Sequence, residues 1–232
     1  MSFAIWQSIL EQQWGLKAKL SLLDGEFDLN ILVKSADNND YVLKVMRSGC
    51  LQGFIDMQIK ALNHIKVLEP ELPFPEVVTT LLGQQFVECT DEFGKVRLLW
   101  LIKKLPGRKY VDHGHKSLNL IRQLGGMIAR FGVALKSFEH NFLIRDLKWN
   151  LSEANWVEEH VDSTEGSSRK KILKNIIKDY KDILPIVKKQ PFQPIHGDVN
   201  DHNTLVNACL KTKSSISGIV DLGDMCFAPR VC

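Results

Sequence analysis

Several features are scarce in this 232-residue chain, and each scarcity excludes a class of protein. No stretch approaches the roughly 18 uninterrupted apolar residues that a membrane-spanning helix needs, so no span is predicted. The five cysteines, Cys50, Cys89, Cys209, Cys226 and Cys232, are odd in number and form no C-x-x-C pair. That usage favours a reducing, intracellular compartment, and a cytoplasmic location is the expectation. The opening MSFAIWQSILEQQWGLKAKL has no basic stretch ahead of its apolar residues, and Glu11 interrupts them. It reads as an amphipathic helix through Phe3, Trp6, Ile9, Leu10 and Trp14, not as a secretory signal. A net charge of only +3, with few aromatics among the basic runs, fits a nucleic-acid binder poorly. Neither an internal repeat nor a low-complexity tract is present.

What is there is the composition of an ordinary globular protein, 44% hydrophobic and 25% charged. Short β-rich runs follow the first helix: AKLSLL, NILVKSA, YVLKVM, QQFVECT and KVRLLWLI. The turn sequences DNND and DEFG predict two antiparallel hairpins among them. Between the hairpins, Ile55, Ile59, Leu62 and Ile65 repeat at helical spacing, which predicts one helix crossing a small sheet. From Ser117 a longer helical pattern runs through Ile121, Leu124, Ile128, Phe131, Leu135 and Phe138. Gly125 and Gly126 interrupt its propensity, so another backbone is expected to approach there. A polar break precedes a further helix with Leu173, Ile176, Ile177, Tyr180 and Leu184 on one side, whose Lys170, Lys174, Lys178 and Lys181 read as a solvated face. The expected order is a sheet with one helix and then mostly helices, divided near Pro106 and Gly107 into units 1–105 and 106–232.

Chemistry concentrates in IHGDVNDHN, residues 195–203, and in IVDLGD, which contains Asp221 and Gly223. Singly, aspartates and asparagines in loops form turns and caps. Jointly and in this order, H-x-D-x-x-x-x-N followed by D-x-G is the pair that protein kinases use. Asp198 is placed to orient an acceptor hydroxyl and take its proton. Asn203 and Asp221 offer one neutral and one charged oxygen to Mg²⁺ beside a nucleoside triphosphate. Lys44, in the predicted strand YVLKV, is the candidate phosphate clamp. The single Gly25 in LLDGEFDLN matches a phosphate-covering loop only weakly.

With HGDVNDHNTLV and ISGIVDLGDM on the page, the chain resembles the aminoglycoside phosphotransferase and choline kinase superfamily, in which glycine replaces the arginine of H-R-D, as Gly197 does here. WGLKAKLSLLDGEFDLNILV, LPGR, RDLKWNL and HGDVNDHN together are similar to the hydroxylysine kinase group within it. The resemblance implies an α+β, bilobal, protein-kinase-like fold with a small antiparallel-sheet N-lobe and a mainly helical C-lobe lacking its C-terminal helices. It also implies Mg²⁺, with ATP or GTP as donor, and a small-molecule amino alcohol, 5-hydroxylysine first, as acceptor. Carried over, Asp198 is the base, Asn203 and Asp221 are metal ligands, Lys44 is the clamp, and the backbone of Lys103 to Leu105 meets the nucleobase. His196 reads as a loop brace. Asp201 and Asp224 are candidates to attract the acceptor's amine, Trp149 to stack on it and Arg145 to bind a carboxylate.

Two departures from the pattern stand out. Where a kinase pairs the strand lysine with a glutamate of the following helix, this chain offers only Asp56 and Gln58; Asp56 is shorter by one methylene, so its pair with Lys44 is expected to be strained or absent. Asp221 also lies close to Cys232, whereas relatives continue with several helices. Each unburied apolar side chain forgoes roughly 1.5–3 kcal/mol, so the expectation is a marginal fold, a protein partner or self-association through the exposed surface, or a piece of a longer protein; the alternative to an active kinase is a catalytically inactive nucleotide-binding or partner-binding fragment.

Overall fold

The structure, a computed structural model, describes residues 3–36, 39–114, 117–207 and 214–232. Helix α1, Ala4–Trp14, buries Trp6, Leu10 and Trp14 and stops at Gly15, whose φ of 68° lets its N–H return to Glu11. Strands β1 (Ala18–Leu23), β2 (Leu29–Ser35) and β3 (Asp40–Val45) precede helix α2 (Gln52–Leu68), and β4 (Val77–Val78), β5 (Val87–Thr90) and β6 (Val96–Lys103) follow it. They form one antiparallel sheet in the order β1-β2-β3-β6-β4, with β5 also on β6. Both predicted hairpins are present. In the first, Lys34 pairs with Asp40, and Asp37 and Asn38 of the DNND turn lie outside the described residues. In the second, Asp91 Oδ1 accepts the N–H groups of Phe93 and Lys95, both at 2.9 Å, which closes the turn.

Alternation along the strands gives the sheet two apolar faces. Ile31, Val33, Leu43, Val45, Leu99 and Leu101 pack with α1. Leu98, Trp100 and Ile102 face the other way, onto Ile55, Ile59, Leu62 and Ile65 of α2, all four of which are buried as predicted. This second core continues through Phe131, Leu135 and Phe138 to Ile219, Leu222 and Met225. The segment around Asp221 is therefore set by packing against the same helix that covers the sheet.

Beyond β6 lie β7 (Arg108–Lys109), α3 (Leu118–Ala134), α4 (Ser167–Val187), β8 (Phe192–Ile195), β9 (Thr204–Asn207), β10 (Ser215–Ile219) and β11 (Cys226–Pro229), with 3-10 turns between. β10-β9-β7 make a small sheet and β11 pairs with β8. None of these five strands was predicted, since pieces of two to five residues carry too little alternation to register. Among the described residues no helix is long and apolar enough to cross a membrane.

The two long helices behave differently from expectation. Gly125 and Gly126 are exposed, and a Cβ on either would meet nothing, so no backbone approaches α3 there. That helix is anchored by Leu120, Phe131 and Ala134 and leaves Ile121 and Ile128 in solvent. α4 has no buried residue at all. Leu173, Ile177, Tyr180 and Leu184 are half-buried and Ile176 is exposed, while Lys174, Lys178 and Lys181 form the expected solvated face. Its tie to the 151–163 segment is polar: the Tyr180 hydroxyl donates to Leu151 O at 2.9 Å and accepts the Ala154 N–H at 3.1 Å.

The contrast between α2 and α4 is measurable. Ile59→Ala, fully buried in α2, should lower unfolding stability by about 2–5 kcal/mol. Ile176→Ala, 56% exposed in α4, should stay within about 0.5 kcal/mol. Urea titrations of both variants decide it, and a large loss at Ile176 would mean that α4 is covered in solution.

Candidate functional site

The stretch 196–203 forms a loop whose polar groups are nearly all spoken for. His196 is 3% exposed. Its Nδ1 lies 3.3 Å from the Asp198 amide nitrogen and its Nε2 3.2 Å from the Val220 carbonyl. An amide can only donate and a carbonyl only accept, so the ring is neutral with its proton on Nε2, and burial pushes its pKa down. His196 thus braces the loop, as the sequence suggested. Gly197 has φ of 80°, and a Cβ there would overlap the Asp224 carbonyl oxygen. No side chain fits where protein kinases carry arginine.

Asp198 has each carboxylate oxygen held by an amide: Asn200 Nδ2 donates to Oδ1 and Asn203 Nδ2 to Oδ2, both at 2.7 Å. Asn203 Nδ2 also reaches the Asp198 carbonyl at 3.0 Å. Asn200 was missed as a site residue. Its Oδ1 accepts the N–H groups of His202 at 2.8 Å and Asn203 at 3.1 Å, and its carbonyl accepts the Thr204 hydroxyl at 2.9 Å. The available signal was its place two residues beyond Asp198, where an Asx-turn would fold the loop back.

Asp221 arrives on the neighbouring segment. The Val220 N–H donates to Asn203 O at 2.9 Å. Asp221 is the one non-glycine with positive φ among the described residues, at 67°. Its Oδ1 accepts Lys44 Nζ at 3.2 Å and the Gly223 N–H at 3.3 Å. The Lys44 ammonium, first among the causes, holds the Asp221 carboxyl below the usual carboxylate range. Asp224 goes the other way: burial, then the charges of Asp198 and Asp221, raise it. Lys44 stands between Asn30 and Trp100 in register, with Nζ 5.7 Å from the Trp100 ring centroid and its side chain 11% exposed. It points into the site, unlike most strand lysines.

Of the two alternatives for Lys44, a pair with Asp56 or none on the helix, the structure shows the second. Asp56 binds Lys60 Nζ at 2.7 Å and His140 Nε2 at 3.0 Å instead. Gln58 is buried and donates to Phe54 O at 3.3 Å. Asp221 occupies the place in the ion pair that a helix glutamate would fill.

Between β1 and β2, a Cβ on Gly25 would collide with Asp28 O and Asn30 Nδ2, so the loop is folded tightly on itself. Its Asp24 Oδ2 meets Lys109 Nζ of β7 at 2.9 Å. At the hinge, the Lys103 N–H donates to Glu76 O and its Nζ to Glu76 Oε2, both at 2.8 Å, while Leu105 packs on Gly218. Asp201 is half-buried, with its carbonyl accepting the Val111 N–H at 3.0 Å, and Trp149 is 60% exposed. Arg145 is not an open carboxylate receptor, because its guanidinium donates to the carbonyls of Phe142 at 2.8 Å, Met225 at 2.6 Å and Gly223 at 2.5 Å.

Asn203 and Asp221 fit a hard cation. With Nδ2 given to Asp198, the Asn203 Oδ1 remains as a neutral oxygen, and Asp221 supplies a charged one. Among the described residues no three His, Cys, Asp or Glu side chains close a cage. That suits an ion drawing its other ligands from phosphate and water.

The pattern of the Phosphotransferase enzyme family matches residues 20–232. The chain belongs to this family. It is 29% identical over 230 residues to a hydroxylysine kinase of Danio rerio and 26% identical over 245 residues to that of Mus musculus. Those matches take in 94% and 95% of this chain but 63% and 64% of the relatives, so it spans somewhat under two thirds of their length. Among solved structures, a microcompartment-associated aminopropanol kinase superposes with a TM-score of 0.70 at 17% identity, covering 97% of this chain and 70% of that one. An amicoumacin kinase in complex with AMP-PNP and Ca²⁺ gives 0.68 at 13% identity, covering 100% and 66%. The fold is the kinase-like α+β arrangement that the resemblance implied.

Within this phosphotransferase loop, His196 has a pH signature. Its folded pKa is depressed by burial, so as pH falls below about 6.5 the unfolded chain takes up the proton first, and stability declines by at most about 1.4 kcal/mol per pH unit. Above that pH the contribution is complete. His196→Asn should flatten this component between about pH 7.5 and 5.5 in urea unfolding. Identical slopes in both proteins would show that the ring is not held neutral.

Proposed function

We infer that this chain carries the nucleotide-binding and catalytic parts of a small-molecule kinase. The reaction moves the terminal phosphoryl group of ATP or GTP to a hydroxyl of an amino-bearing alcohol, with 5-hydroxylysine as the leading acceptor. The observation that carries this reading is the meeting of four side chains from distant stretches: Asp198 tied to Asn203 at 2.7 Å, and Asp221 tied to Lys44 at 3.2 Å, on two segments joined by His196. The kinship with hydroxylysine kinases and the fold shared with an aminopropanol kinase support a hydroxylated amine as acceptor.

In this reading Asp198, oriented by its two amide donors, accepts the proton of the acceptor hydroxyl as that oxygen bonds to the γ-phosphorus. The bond from phosphorus to the bridging oxygen breaks, and the nucleoside diphosphate leaves. Lys44 clamps phosphate oxygens, exchanging part of its contact with Asp221 for them. Asn203 and Asp221 would hold Mg²⁺, which supplies charge neutralisation to the triphosphate. The Gly25 loop covers the phosphates with backbone, and the Lys103–Leu105 strand end receives the base where the units 1–105 and 106–232 meet. Asp224 and Asp201 contribute negative potential toward a cationic amine, and Trp149 offers an exposed ring to its aliphatic part. A second reading, nucleotide binding without turnover, is favoured by α4 having no buried residue.

Asp198→Asn should lower turnover by about 10²–10⁴ and leave Mg²⁺-nucleotide binding in place, whereas Asp221→Asn should remove metal-dependent binding. Coupled assays of nucleoside diphosphate release with 5-hydroxylysine and aminopropanol, beside thermal shifts with nucleotide and Mg²⁺, separate the two readings. Undiminished turnover in Asp198→Asn sinks the kinase mechanism. Nucleotide stabilisation without product in the parent chain favours the second reading.

A further inference from the structure

Phe54, in the first turn of α2, has two guanidinium groups beside its ring: Arg145 Cζ lies 5.4 Å from the ring centroid and Arg47 Cζ 5.8 Å. Each arginine extends to a different part of the site. Arg47 also stands 5.6 Å from the Phe27 centroid. Its backbone N–H donates to Asp28 Oδ1 at 2.7 Å and its Nη1 reaches Oδ2 at 3.5 Å. It therefore grips the loop between β1 and β2. Arg145 grips the turn that Asp221 begins, through the Gly223 and Met225 carbonyls on either side of Asp224. The N–H of that same Gly223 bonds Asp221 Oδ1, and a Cβ on Gly223 would sit 3.3 Å from Asp221 Oδ1 and 3.8 Å from Phe54 Cζ. The phenyl ring thus lies beside the turn and is linked to it through Arg145.

A left-handed non-glycine residue persists only where its surroundings over-determine it. Here the over-determination comes from a planar fork that bonds three carbonyls at once, which a lysine ammonium cannot reproduce in the same geometry. The ring's negative face attracts both guanidiniums and gives two like charges a common partner.

We propose that Arg145 is a positioning residue that fixes the Asp221 turn, and that Phe54, whose ring holds both Arg145 and Arg47, couples that turn to the seating of the 24–28 loop. Metal affinity and nucleotide affinity are then set by one stack of side chains. This inference rests on the reading of Asp221 as a metal ligand. Arg145 acts on the metal side alone, and Phe54 acts on both.

The test needs no turnover: calorimetric titration with AMP-PNP, with and without Mn²⁺, of the parent chain and of Arg145→Lys, Phe54→Leu and Phe54→Tyr. Arg145→Lys should weaken Mn²⁺-dependent binding about tenfold and change metal-free binding by less than about twofold. Phe54→Leu should weaken both, and Phe54→Tyr, which keeps the ring, should restore both. Equal losses with and without metal in Arg145→Lys overturn the positioning role. A Phe54→Leu variant that loses only the metal-dependent part overturns the coupling. Should Arg145→Lys fail to fold, Phe54→Leu decides, because loss of both parts supports the coupling and loss of the metal-dependent part alone overturns it. Metal-dependent binding by the parent with no phosphoryl transfer to any hydroxylated amine would sink the kinase reading and leave this inference standing. Absence of metal-dependent binding in the parent overturns both.

Discussion

A neutral imidazole joins the two acidic segments, and the rest of the site depends on it. His196 receives the amide proton of Asp198 on one nitrogen and gives its own to the Val220 carbonyl from the other. The Val220 N–H returns to Asn203 O. Two stretches separated by a whole hairpin are thereby held in one register without a covalent link. Only histidine offers a donor and an acceptor on opposite edges of a rigid ring, and only while uncharged. Burial supplies that condition, so the packing of the second core is also what sets the protonation state of the brace.

The same packing crowds like charges. Burial first, and then the charges of Asp198 and Asp221, raise the pKa of Asp224, while Lys44 alone among the described cations is bonded to Asp221. A triphosphate would add several more negative oxygens to this space. Repulsion of that kind is relieved by a divalent cation or by protonation. Asn203 and Asp221 are the oxygens available to the first route.

How much of this was legible in the sequence depended on the range of the interaction. The β2–β3 and β5–β6 hairpins and helix α2 followed from alternation and turn chemistry, which are local. That Asp198 and Asn203 belong together, and Asp221 with Lys44, was legible from motif spacing, and the structure brings each pair into contact. Gly125 and Gly126 misled because a glycine pair in a helix has two explanations, close packing or mere exposure, and only the tertiary environment distinguishes them. The sequence left open whether Asp56 pairs with Lys44, and only the tertiary environment decides it: Lys60 one turn along and His140 from another segment hold its carboxylate. Arg145 was singled out for the right segment and the wrong partner. Nothing local announces that a guanidinium will turn inward onto three carbonyls.

The loop between β1 and β2 is tied at both ends, and the ties are unequal. Asp24 meets Lys109 with 93% of its side chain in solvent, so that contact is screened and exchanges readily with water and salt. Asp28 is held by a backbone N–H at 2.7 Å as well as by the guanidinium of Arg47, and its side chain is only 17% exposed. Backbone donors do not swing away as lysine side chains do. The Asp24 end is therefore the weaker tie, and opening there leaves the Arg47, Phe54 and Arg145 contacts undisturbed.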